Sequence, residues 1–187
     1  MDGVSKPINI PYRFMFMSLI PVFLFSTVIP EVPNSEFYMS LNQFLDEFFL
    51  GMVGFTSELF PFTAKVISNY VAVTTPFLSV YVMVIVGKEA VIKSKSGIKN
   101  TFSILYLCMT TIGFILLTVL IIYMSYFSVT DLSQHNRMYR IFGSQPFFFA
   151  LFSAIWMLAL YLIIVLNFIY FFVLPYIILV KKPFAPK

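Results

Sequence analysis

The sequence predicts an all-α integral membrane protein: four transmembrane helices in an antiparallel bundle, with one amphipathic helix in the first outer loop. Three observations predict it. The 187 residues are 60% hydrophobic and only 11% charged, too apolar for an ordinary soluble domain. The apolar residues gather into four runs, each approaching or exceeding the roughly 20 residues that cross a bilayer. The longest polar stretch, residues 30–65, holds five of the eight acidic residues, Glu31, Glu36, Asp46, Glu47 and Glu58, and is too polar to cross.

Pro7 and Pro11 keep the polar lead from being helical until about residue 12. The first apolar run, 14–29, extends to a span of about 12–31, because sixteen residues reach only about 24 Å. A cleaved export signal would also show a basic lead and an apolar core. The run ends Ser26-Thr27-Val28-Ile29-Pro30 without a pair of small residues at the cleavage positions, which favours a retained span. Within 30–65, Phe37, Tyr38, Leu41, Phe44, Leu45, Phe48, Phe49 and Met52 recur at helical spacing. Ser40, Asn42, Gln43, Asp46 and Glu47 take the other face. Asn34 or Ser35 supplies the cap, Glu36 complements the positive end of the helix, and Gly51 and Gly54 weaken it.

Spans two, three and four are expected at about 66–86, 101–128 and 147–175, with Pro175 kinking or ending the last. The whole chain is one membrane domain, with no internal repeat. If the N-terminus, the connector 87–100 and the C-terminus share a side, that side holds nine of the twelve basic residues: Lys6, Arg13, Lys88, Lys93, Lys95, Lys99, Lys181, Lys182 and Lys187. The positive-inside rule makes that side cytoplasmic. Both termini are then cytoplasmic, and segments 30–65 and 129–146 face outward. The net charge of +4 flanks apolar runs and forms no nucleic-acid patch.

Chemistry is sparse in this pattern. One histidine, His135, lies in a loop, and one cysteine, Cys108, lies in an apolar run, so haem, zinc and thiol readings lack ligands. No Asp or Glu falls in the interior of any expected span, Glu31 standing only at the end of the first, which weakens enzyme, pump and channel readings, and no cofactor is expected. Neutral polar residues remain: Asn69, Thr74, Thr75 and Ser79 beside Pro76, then Thr110, Thr111, Thr118, Ser153 and Asn167. They glue helices together, or Thr74-Thr75-Pro76 marks a deformable point where another helix docks. Pro76 cannot donate its amide and frees a carbonyl one turn earlier. Of the 24 phenylalanines and 11 tyrosines, most suit interfacial belts and core packing.

Several pieces resemble one family: Phe14-Met15-Phe16-Met17-Ser18-Leu19-Ile20-Pro21, Lys65-Val66 followed by Tyr70 and Thr74-Thr75-Pro76-Phe77-Leu78, Lys88, and Leu174-Pro175 with Lys181-Lys182. They look like the immunity proteins that protect bacteria against pore-forming colicins, in particular the four-span group related to the colicin A immunity protein. The resemblance covers about half the chain and includes no catalytic fingerprint. It implies a non-enzymatic binding protein of the bacterial inner membrane, with 30–65 and 129–146 periplasmic, that meets the pore-forming domain of a colicin-like toxin in the lipid bilayer and blocks channel opening. Residues expected to meet that partner are Glu36, Asp46, Glu47, Asn69, Thr74, Thr75 and Pro76. The alternative is an accessory or assembly subunit of a larger membrane complex.

Overall fold

The computed structural model describes residues 11–93, 104–173 and 175–176. The expected N-terminal lead before residue 11, Lys95 and Lys99 of the connector, and the terminal Lys181, Lys182 and Lys187 lie outside the described residues. The fold is mostly helical. In chain order it comprises α1 (Tyr12–Met17), α2 (Ile20–Val28), α3 (Glu36–Phe48), β1 (Gly54–Thr56), α4 (Pro61–Lys93), α5 (Ile104–Ile122), β2 (Val129–Asp131), α6 (Arg137–Ser144) and α7 (Pro146–Phe168). Single π-helical turns follow α5 (Tyr123–Phe127) and α7 (Ile169–Val173).

Three stretches are long and apolar enough to cross a membrane: Pro61–Glu89, Met109–Phe127 and Pro146–Val173. The expected fourth differs. Tyr12–Val28 is a shorter apolar stretch, broken between α1 and α2 at Ser18 and Leu19. Pro21 explains the break, since it has no N–H to return to the preceding turn. Val22 N–H turns instead to Leu19 O at 3.1 Å, and the Ser18 carbonyl accepts from Tyr70 OH at 2.8 Å. Tyr161 OH donates to Ser18 Oγ at 3.1 Å, so the break becomes a three-helix junction.

The all-α expectation needs a correction. β1 and β2 pair as a two-stranded parallel sheet, Gly54 opposite Val129 and Thr56 opposite Asp131. The two polar connectors are thereby joined, an arrangement that a period-based reading misses because each strand is only three residues long. Ser57 Oγ donates to Gly143 O at 2.8 Å and Gln134 bonds Glu58, which completes a cap over one end of the helices.

Further boundaries shift. α4 begins at Pro61, whose missing N–H costs nothing in a first turn, so Lys65 sits within the helix and does not flank it. The helix runs on past Lys88 to Lys93. The regular α-helix of the last run stops at Phe168, before Pro175 is reached.

The core lies where α2, α4 and α7 meet. Val22, Ile67, Phe149, Met157 and Tyr161 are fully buried, and Ala64, Ala150 and Ala154 bring the backbones close. Phe55 of β1 packs edge-on against Phe152 and Trp156, with ring centroids 4.8 and 4.9 Å away, tying the cap to α7. α5 stands outside this core. It is held by side-chain bonds: Asn167 Nδ2 to Thr118 Oγ1 at 2.8 Å, Trp156 Nε1 to Ser125 Oγ at 3.0 Å, and Thr110 and Thr111 to Tyr170, each at 3.0 Å.

Candidate functional site

The partner-binding residues expected from the sequence fall into three places. The first is the outward side of α3. Ser35 is the N-cap, accepting from Tyr38 N–H at 3.4 Å, and Glu36 occupies the first turn as the helix dipole favours. One apolar edge docks: Leu45 is buried against Phe62 and Val66, with Tyr38 and Leu41 beside it. A second edge does not. Phe37, Phe44 and Phe48 project at 0, about 340 and about 20 degrees on a helical wheel, and are 71%, 46% and 72% exposed. Glu36 and Glu47 are exposed beside that edge, and Glu47 accepts from Gln43 Nε2 at 2.7 Å. The apolar face is therefore wider than the surface α4 covers.

The second place is the seam beneath α3. Lys65 is only 5% exposed, yet its Nζ lies 2.6 Å from Asp46 Oδ1 and donates to Asn42 Oδ1 at 2.8 Å. A buried ammonium is costly unless paired, so Asp46 serves as its counter-ion. One turn on, Asn69 Nδ2 donates to Gly51 O at 2.7 Å and Lys65 O at 2.9 Å, while its Oδ1 accepts from Leu50 N–H at 3.1 Å. Gly51 at φ 61° and Gly54 at φ 65° take the left-handed conformation that this tight exit from α3 requires. Asn69 thus spends its polar atoms on the chain itself, and Asp46 commits Oδ1 to Lys65 while its carboxylate stays half exposed.

The third place is the proline of α4, seven residues beyond Asn69 and so about 10 Å along the helix. Thr75 is fully buried and bonds back to Val71 O, and Ser79 Oγ donates to Thr75 O at 2.7 Å. Thr74 is half-buried. Pro76 leaves Ala72 O without its intrahelical donor, and Tyr126 OH fills the vacancy at 2.7 Å. The π-helical turn at Tyr123–Phe127 lets consecutive residues face inward, Ser125 toward Trp156 and Tyr126 toward Ala72. The proline point is a dock, and its occupant is Tyr126 at the end of this protein's own Met109–Phe127 stretch.

Sequence reasoning missed Lys65 as a buried cation and Tyr70 and Tyr126 as carbonyl caps. A signal existed for the tyrosines. Each proline inside an apolar run creates a carbonyl that needs a donor, and a tyrosine inside another run is the longest-reaching neutral donor there.

Comparison with protein-family models, with curated proteins and with solved structures gives no match.

Proposed function

We propose that the protein is a bacteriocin immunity protein of the bacterial inner membrane, which binds the membrane-inserting pore-forming domain of a colicin-like toxin and blocks channel opening. In this reading the broken Tyr12–Val28 stretch also inserts, giving four spans with both termini cytoplasmic and the cap outside. The observation that carries it is the uncovered edge of α3. Phe37, Phe44 and Phe48 stand beside Glu36 and Glu47 on a helix anchored to the bundle by Lys65 and Asp46. An apolar strip edged by carboxylates fits an entering apolar helix that carries basic residues at its ends. Charge steers the encounter, and packing in lipid supplies affinity. No turnover is required of it.

The deciding experiment challenges otherwise sensitive bacteria that make the protein with a panel of pore-forming bacteriocins, scoring survival and membrane potential. Protection against one toxin or a close group is expected. Glu36→Lys with Glu47→Lys should weaken it at matched protein level, and unchanged protection would remove these carboxylates from the interface.

A second reading, an accessory subunit of a larger membrane complex, is favoured by α5. Met109, Ile112, Leu116, Val119 and Leu120 leave its outer side bare. Co-purification of stable partners in the absence of any toxin would favour it.

A further inference from the structure

The end of the bundle away from the cap carries a feature that partner recognition at α3 does not use. Met83 lies 22 residues beyond the start of α4, about 33 Å along the helix and close to the depth of a hydrocarbon core. Two open grooves meet there, of about 450 and 580 Å³. They share Met83, Phe168 and Phe172 as walls. Gly87 makes the first possible, because a Cβ there would stand 2.8 Å from the Phe168 ring. The π-helical turn after α7 makes the second, carrying Phe171 and Phe172 outward with Phe172 stacked on Phe168 at 5.8 Å. Such turns recur at binding sites.

The grooves are lined almost wholly by carbon. Thr118 and Asn167 bond each other within the second, which leaves the rim of the first as the polar part. That rim is Lys88 and Tyr176, both exposed, and Lys88 has no hydrogen-bond or ion-pair partner among the described residues. A soluble ligand would find too few polar groups here, and an apolar helix would have no use for the lysine. Two apolar channels converging below one ammonium match a molecule with two hydrocarbon chains and one anionic head.

We propose that this is a binding site for an anionic phospholipid, its acyl chains in the two grooves and its phosphate on Lys88. Basic pockets between membrane helices hold anionic headgroups by the same pairing. The lipid would fill the wedge between α5 and the α4–α7 pair, where α5 has side-chain bonds but little packing.

The test uses the full-length protein purified in detergent and titrated with phosphatidylglycerol, phosphatidylcholine or inorganic phosphate, following bound lipid by native mass spectrometry and thermal unfolding by circular dichroism. Phosphatidylglycerol should bind at one molecule per chain and raise the unfolding temperature, with phosphatidylcholine about five-fold weaker and inorganic phosphate without effect. Lys88→Gln, an exposed change that leaves the fold intact, should abolish the preference between the two lipids. Met83→Trp, filling the shared wall, should weaken both. Equal binding of the two lipids by the unaltered protein, full preference retained in Lys88→Gln, or equal stabilisation by inorganic phosphate would each overturn the proposal. So would a second copy of the chain replacing lipid on the groove.

Discussion

Replacing Tyr126 by phenylalanine removes one oxygen and keeps the ring. That oxygen donates at 2.7 Å to Ala72 O, which is the carbonyl that Pro76 deprives of its helical partner. Ala72 is 4% exposed, so no water takes over the bond. Interhelical hydrogen bonds in membranes average about 0.6 kcal/mol and reach about 1.7. A stranded buried carbonyl raises the cost toward the upper end, about 1.5 kcal/mol. The companion change is Pro76→Ala, which supplies an N–H at position 76 and lets Ala72 O close its own turn. In that background Tyr126→Phe should cost less than about 0.5 kcal/mol, a coupling of about 1 kcal/mol between residues 50 positions apart. Reversible unfolding in mixed micelles measures this, and the single tryptophan, Trp156, bonded to the neighbouring Ser125, reports it locally. An equal cost of Tyr126→Phe in both backgrounds would refute the claim that the tyrosine stands in for the missing proline amide.

Other consequences follow from the cap and the seam. Asp46→Lys should destabilise by about 1 to 2 kcal/mol, because it takes the carboxylate from the buried Lys65 ammonium and puts a half-exposed like charge beside it, whereas Glu36→Lys and Glu47→Lys should stay within about 0.5 kcal/mol. The same unfolding titration separates them. Asn69→Leu removes three hydrogen bonds and strands Leu50 N–H and Gly51 O; a loss of about 2 to 3 kcal/mol and faster proteolysis between residues 49 and 54 are expected. Gly143→Ala places a Cβ 2.3 Å from Ser133 N, a backbone atom that cannot move freely, so α6 should detach from the turn after β2. Hydrogen exchange would then rise selectively over 131–144, and unaltered protection there would contradict the close approach.

Hydropathy and period alone were enough to mark the long apolar runs and the amphipathic helix at 36–48. These depend on hydropathy and period, which neighbouring residues along the chain set together. The sequence also located Pro76 as the place where a carbonyl would be freed. The partners of these features were set by the packing. The three-residue strands carry no usable period, and only their juxtaposition makes a sheet of Gly54–Thr56 and Val129–Asp131. Lys65 reads as a flanking charge until α3 folds back and buries it against Asp46. The acidic residues of 30–65 look alike in sequence and Glu36, Asp46 and Glu47 are all exposed, yet only Asp46 reaches the buried Lys65 ammonium, because which carboxylate meets a buried cation depends on how two helices cross. The tyrosines that complete the broken helices are likewise 52 and 54 residues from the carbonyls they reach, a distance over which local pattern carries no information.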